Sequence, residues 1–158
     1  MESLKTFIKQ LQPFSEESWG YLQPCLSQWH YRRNEYLLKE GAVCNAVYFI
    51  ESGFCNTWFN QDGKEINTGF YFENEFVTSL RSLVSGTKSD FYIQACEPLS
   101  VIRFDKTELL NAYKESHEIE GFGRKVLELI TLQQEEHANS FKLLSPRERY
   151  EQLITRHP

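Results

Sequence analysis

The sequence of 158 residues lacks any apolar run that approaches 18 residues, so nothing in it predicts a membrane-spanning helix. Its first residues lack the basic flank and the apolar stretch of a signal peptide. It has 17 lysines and arginines against 22 aspartates and glutamates, a net charge of −5. An acidic chain is a poor candidate for gripping nucleic acid by phosphate neutralisation alone. The missing membrane span and signal peptide favour a cytoplasmic protein that does not contact a membrane. The negative net charge argues against binding to DNA by charge alone.

Motifs of enzymatic chemistry are missing too. The sequence contains no H-E-x-x-H, no G-x-S-x-G and no Walker-type loop after a strand. Its four histidines do not combine with glutamates in the clusters that a barrel metalloenzyme needs, which argues against a cupin-like enzyme. We therefore predict no catalytic activity, no metal and no cofactor.

The four cysteines, Cys25, Cys44, Cys55 and Cys96, form no C-x-x-C pair. Neither a zinc ribbon nor a thioredoxin-type dithiol is indicated. We expect partly buried, reduced thiols that pack as small apolar side chains, with a redox-sensing pair as the alternative.

Aromatic residues are abundant, at 15%, and most of them fall between Trp29 and Phe104. This stretch alternates apolar and polar residues, and turn glycines recur in it every ten to twelve residues, which is typical of an antiparallel sandwich or barrel. Asp62-Gly63 between two alternating runs is the strongest hairpin signal. The predicted fold is α+β and mainly β, an antiparallel jelly-roll-like barrel flanked by short helices and followed by a long C-terminal helix.

Helices are predicted at both ends of this stretch. Ser15 is a plausible N-cap, and the capping-box spacing of Asp105 and Glu108 predicts a second helix. Another capping box, Ser145 to Glu148, predicts a helix over Arg147–Arg156.

A long helix is predicted from about Ile119 to about Leu144. Its apolar seam, which turns polar at Gln133 and His137, consists of Ile119, Phe122, Val126 and Leu129. We predict that this seam joins two copies of the chain as a homodimer. The alternative is that the seam packs on the chain's own barrel.

One segment of the barrel is a candidate pocket. It follows a strand as a short helix entered through hydroxyl residues, where free N–H groups favour anions. The candidate ligand-binding residues are Thr78, Ser79, Leu80, Lys88 and Ser89. The alternative is an ordinary capped turn on the barrel wall, with Ser79 as the cap.

Several short motifs together resemble the cyclic-nucleotide-binding-type effector domain of the CRP/FNR family of bacterial transcription regulators. They are Leu38 to Gly41, Val47 to Gly53, Asp62 to Glu65, Phe76 with Leu80, and the strand that ends at Phe104. The resemblance implies a domain over residues 1–115, a dimerisation helix over 116–144, and over 145–158 a hinge with the first helix of a DNA-binding domain whose remainder is missing from this chain. DNA would be contacted only through that missing domain.

The departures from the family pattern matter more than the matches. The resemblance implies Gly-Glu-Leu after Phe76, where the Glu accepts from the ribose 2′-hydroxyl, but the sequence has Thr78-Ser79-Leu80. It also implies a phosphate-binding Arg near Lys88, and Lys lacks the bidentate fork of Arg.

We therefore expect the effector-sensing and dimerisation portion of a CRP/FNR-like regulator, with a degenerate pocket that does not bind cyclic AMP tightly and that holds, at most, a small polar or anionic effector. The alternative is a stand-alone cyclic-nucleotide-type binding or interaction module with no role on DNA.

Overall fold

The computed structural model describes the backbone of residues 1–143 and the side chains of residues 1–139. The helices are α1 (Glu2–Leu11), α2 (Glu16–Leu22), α3 (Leu80–Ser85), α4 (Lys106–Tyr113) and α5 (His117–Leu143), with a 3-10 turn over Gln23–Cys25. The strands are β1 (Leu26–Tyr31), β2 (Tyr36–Leu38), β3 (Ala46–Ser52), β4 (Cys55–Gln61), β5 (Lys64–Tyr71), β6 (Phe76–Val77), β7 (Tyr92–Ala95) and β8 (Leu99–Asp105).

The eight strands form two antiparallel sheets of four strands each. One has the order β1-β8-β3-β6 and the other the order β2-β7-β4-β5, so that strands distant in sequence lie side by side, as in a jelly roll. Side chains of both sheets contribute to one hydrophobic cluster. The predicted fold class is therefore confirmed, with two packed sheets in place of a closed barrel.

The β4–β5 hairpin turns at Asp62-Gly63, as predicted. Both residues have positive φ, 54° and 85°, and Gln61 pairs directly with Lys64. Positive φ at both central positions gives the two-residue turn whose twist matches that of paired strands, and Asp followed by Gly is a pair that favours it. The Gly63 N–H donates to Asn60 Oδ1 at 2.9 Å, which completes the turn.

Two predicted helix starts are also confirmed. The Ser15 hydroxyl accepts from the Ser18 N–H at 3.1 Å, and the Asp105 carboxylate accepts from the Glu108 N–H at 3.1 Å. Ser15 in addition donates to the carboxylate of Glu118 at 2.7 Å, so the start of α2 is tied to the start of α5. Hydrogen bonds from Ser15 and Ser18 lower the pKa of Glu118, which keeps this carboxylate ionised as an acceptor.

Helix α5 packs onto the sandwich through one face. Ile119, Phe122, Val126 and Ile130 are all buried there. The ring centroid of Phe122 lies 6.2 Å from those of Phe14 and Phe104 and 6.3 Å from that of Phe76. These rings join the long helix to both the N-terminal segment and the strands.

The predicted helix over Arg147–Arg156 and its capping box lie outside the described residues. So does the end of the predicted long helix at Leu144.

The Phe122 ring should be a major source of stability. We expect Phe122→Ala to lower the free energy of unfolding by about 3–5 kcal/mol, because it empties a fully buried aromatic site. Urea unfolding followed by circular dichroism measures this. Leu110→Ala, at a position 49% exposed on α4, is the control and should change it by less than about 0.5 kcal/mol. Equal effects of the two changes would contradict this account of the core.

Candidate functional site

The buried hydroxyls of the predicted pocket segment form hydrogen bonds within the chain. Thr78 is buried, and its hydroxyl donates to the Ala46 carbonyl at 2.7 Å while lying 3.2 Å from Cys44 Sγ. Ser82 accepts from the Cys44 N–H at 2.7 Å and donates to the Thr87 carbonyl at 2.6 Å. These bonds join β6 and α3 to the loop before β3 and satisfy the buried hydroxyls within the chain.

Ser79 and Ser89 bond directly to each other. The Ser89 hydroxyl lies 3.0 Å from Ser79 Oγ and 2.8 Å from the Phe91 carbonyl, and both serines are buried. Ser79 occupies the N-cap position of α3, but its side chain makes no cap hydrogen bond. The capped-turn alternative is thus right about the position and wrong about the role of the hydroxyl.

The other two candidate residues lie apart from this pair. Leu80 packs, partly buried, against the hydrophobic core. Lys88 is exposed and joins the segment through a backbone bridge to Val43. Asp90 lies 3.6 Å from Arg81, and both of these side chains are exposed. The structure therefore brings Thr78, Ser79 and Ser89 together as buried hydroxyls, and their part in ligand binding stays a prediction.

A cavity of about 350 Å³ lies between the second sheet and α5. Its lining residues are Thr57, Phe59, Thr68, Tyr71, Phe91, Gln134, His137 and Ala138. The five predicted ligand-binding residues are not among them, although Phe91 accepts from Ser89 and so adjoins the closed segment. Sequence reasoning missed this cavity. The signal that pointed to it was the change from apolar to polar residues on the long helix at Gln133 and His137.

Helix α5 approaches strand β5 closely beside the cavity. A Cβ on Gly69 would lie 2.8 Å from Cε1 of His137 and closer still to Nδ1, so a larger residue there would require the imidazole to move. The imidazole meets the Tyr71 ring edge to face, with centroids 5.1 Å apart. Gln133 donates to Glu75 at 2.5 Å and ties the same turn of α5 to the loop after β5.

The predicted dimerisation seam needs a correction. Ile119, Phe122 and Val126 are buried inside the chain itself, as the alternative of packing on its own barrel describes, because the period of the seam matches the face that meets the sandwich. Leu129, the fourth member, remains 37% exposed. A dimer contact by α5 stays a prediction, and it would have to use the exposed leucines of the helix.

The cysteines are free thiols, with Cys25, Cys44 and Cys55 buried. Burial raises the pKa of Cys96, the half-buried one, to about 11. Within residues 1–143, no group of three or more histidines, cysteines or carboxylates is placed to hold a metal ion. In the same residues no helix is long and apolar enough to cross a membrane.

Comparison with known proteins gives the family. The sequence profile of the cyclic nucleotide-binding domain matches residues 28–116, more than half of the chain. The chain belongs to the cyclic nucleotide-binding domain family, which comprises regulatory ligand-binding modules. No curated protein sequence matches it significantly.

Solved structures share the fold. A cyclic nucleotide-binding domain from Methylobacillus flagellatus superposes with a TM-score of 0.77 at 16% identity, over 91% of this chain and 84% of that one. The catabolite activator protein of Thermus thermophilus superposes with a TM-score of 0.65 at 14% identity. The match covers 84% of the present chain but only 61% of the activator protein. A mutant CooA from Carboxydothermus hydrogenoformans superposes with a TM-score of 0.62 at 19% identity, over 89% of the present chain and 88% of CooA. The predicted resemblance to CRP-like effector domains is thus confirmed at the level of the fold.

The bond between Ser79 and Ser89 can be tested by a double-mutant cycle. We expect Ser89→Ala to cost about 1–3 kcal/mol of unfolding free energy, because it leaves buried partners unsatisfied. Ser79→Ala should cost less, since it removes the bond to Ser89 and leaves the bond from Ser89 to the Phe91 carbonyl in place. Urea unfolding of both variants and of the double variant should show a coupling of at least about 0.5 kcal/mol. Strict additivity would mean that the two hydroxyls do not interact.

Proposed function

We propose that this chain is the effector-sensing and dimerisation portion of a CRP/FNR-like bacterial transcription regulator, in which the nucleotide pocket is degenerate and does not bind cyclic AMP tightly. The observation that carries the proposal is the direct bond between Ser79 and Ser89. Ser79 stands where the resemblance places the ribose-binding Glu, and its hydroxyl is already bonded within the chain.

Electrostatics support the same conclusion. A bound phosphate needs a cationic partner, and Lys88, the nearest candidate by sequence, is exposed and lacks the fork of Arg. Arg81 is already paired with Asp90 at the surface. A phosphate that bonded to Ser79 or Ser89 would compete with the bond between these two hydroxyls, and each buried group left unsatisfied costs about 1–3 kcal/mol.

The roles proposed for the three segments of the chain follow the fold. Residues 1–115 hold the sandwich and its N-terminal helices, and residues 116–144 act as the dimerisation helix. Residues 145–158, proposed as a hinge toward a DNA-binding domain, lie outside the described residues.

The proposed dimer contact is the exposed side of α5. Leu129 and Leu132 are 37% and 58% exposed and lie on neighbouring positions of one helical face. Pairing two copies along this face would remove both leucines from water, which is the driving force for association. The buried seam of Ile119, Phe122 and Val126 then holds the helix in place on each protomer.

The first test uses cyclic AMP. At 1 mM it should shift the melting temperature by less than about 1 °C, because the phosphate and ribose partners are missing. A ligand at 100 times its dissociation constant would add about 2.7 kcal/mol, which thermal unfolding detects easily. AMP at the same concentration corrects for unspecific effects, and a micromolar dissociation constant by calorimetry would refute the degenerate pocket.

The second test concerns the dimer. Leu129→Asp combined with Leu132→Asp should convert a dimer into a monomer in sedimentation equilibrium, because paired carboxylates would be desolvated at the contact. Leu127→Asp is the matched control: it is 38% exposed on the same helix but about 200° of rotation from Leu129, and it should leave the dimer intact. A wild-type monomer, or a dimer that survives the double change, would contradict the proposed contact.

A further inference from the structure

Strand β1 lies at an open edge of the first sheet. Within residues 1–143 it pairs on one side only, with β8, in the sheet order β1-β8-β3-β6. The six residue pairs, from Leu26 with Phe104 to Tyr31 with Leu99, follow one another without a shift in register. A strand in this position presents a row of backbone N–H and C=O groups with which a further strand can pair.

This edge lacks the features that usually protect an edge strand. The residues of β1, Leu26 to Tyr31, include no lysine, arginine, aspartate, glutamate or proline, and the pairing with β8 contains no bulge. The four central residues, Ser27 to His30, are all exposed. Because proteins blunt exposed edges with charges, prolines or bulges, a regular and uncharged edge favours pairing with another strand.

A large aromatic side chain projects from the middle of β1. Trp29 is 46% exposed, and its ring is held from three directions. Its Nε1–H donates to Ser27 Oγ at 2.9 Å, the Tyr31 ring lies nearly parallel to it with centroids 6.4 Å apart, and the Arg103 guanidinium lies 5.7 Å from its centroid. A ring that is already held in place loses little conformational freedom when a partner buries it, which suits it to the centre of a protein interface.

The two ends of β1 carry opposite charges. The strand runs into Arg32 and Arg33, both exposed, and Glu35 offsets part of their charge by accepting from the Arg32 N–H. At the beginning of the strand, Cys25 Sγ donates to the carbonyl of Glu108, whose carboxylate is exposed. In an antiparallel pair of two copies, the arginines of each copy therefore meet the glutamate of the other, so both ends of the contact are attractive.

We propose that β1 pairs antiparallel with β1 of a second copy of this chain about a two-fold axis, which joins the two sheets and removes Trp29 from water. This contact is separate from the one proposed for α5. A chain with two different two-fold contacts assembles into a closed tetramer or an open row of dimers. A single strand pair is smaller than a standard interface, so we expect a dissociation constant on the order of 0.1 mM.

The test uses the full chain with Leu129→Asp and Leu132→Asp, here called the parent, in which the contact proposed for α5 is removed. With a dissociation constant on the order of 0.1 mM, sedimentation equilibrium should show mostly monomer at about 10 µM, the concentration at which the α5 contact is tested, and mostly dimer at about 500 µM. A parent that stays monomeric at about 500 µM would overturn the pairing of two copies, and it would leave the proposed function standing.

Two matched variants of the parent locate the contact. Trp29→Lys should raise the dissociation constant by about tenfold or more, because it puts a charge on each edge and removes the ring. Val84→Lys, at a position 69% exposed on α3, is the control and should leave it within about twofold. Circular dichroism and thermal melting first establish that both variants are folded. Equal association of the two folded variants would overturn the assignment of the contact to β1.

Charge reversal at the strand ends tests whether the partner is a second copy. Arg32→Glu with Arg33→Glu leaves both ends negative, and Glu108→Lys leaves both ends positive. Each of these variants of the parent, alone, should associate about fivefold more weakly or worse, because like charges then meet at both ends. A mixture of the two variants restores opposite charges at both ends and should associate within about twofold of the parent. A mixture that associates no better than either variant alone would overturn the antiparallel arrangement.

Discussion

The seating of α5 on the sandwich is the contact on which the rest of the structure depends. Phe122 reaches rings from the N-terminal segment and from both β6 and β8, so one side chain joins three parts of the chain. At the other end of the contact, Gly69 has no side chain and lets His137 approach the strand. The cavity lies at this second contact, where Gln134, His137 and Ala138 of α5 line it.

The hydrogen bond between Ser79 and Ser89 follows from the length of their side chains. A glutamate or arginine at these positions has a long stem and a charged head that need a ligand or water, whereas serine and threonine reach only their immediate neighbours. Short hydroxyls on adjoining turns can therefore satisfy one another, as Ser79 and Ser89 do at 3.0 Å. Once satisfied and buried, such a pair favours the empty state, because any ligand must replace its hydrogen bonds before it gains its own.

Much of the fold could be predicted from the sequence because its signals are local. Asp62-Gly63, the Ser15 cap and the Asp105 cap each act over three or four residues, and each is where it was expected. Helix α1 was not predicted, although Leu4 and Ile8 are spaced for one buried face. The cavity and the partner of the helical seam could not be derived, since periodicity shows that a face is buried but not which surface buries it. Gln133 and His137 marked the place on the helix, but the residues they contact, Glu75 and Gly69, lie 58 and 68 residues away in the sequence.

The three sides of α5 suggest how a ligand could affect assembly. One side is anchored in the core by Phe122, a second borders the cavity through His137, and a third exposes Leu129 and Leu132. An occupant of the cavity that touches both sheet and helix favours whichever helix position improves those contacts. If α5 forms the proposed dimer contact, such an occupant changes dimerisation only to the extent that its affinity differs between the two helix positions. By linkage, dimerisation then changes the affinity of the occupant by the same factor. A ligand that bound both positions equally would fill the cavity without any regulatory effect. The imidazole of His137 lies close to Gly69 on the side of α5 that borders the cavity. A shift of the helix on this side therefore changes the contacts between helix and strand.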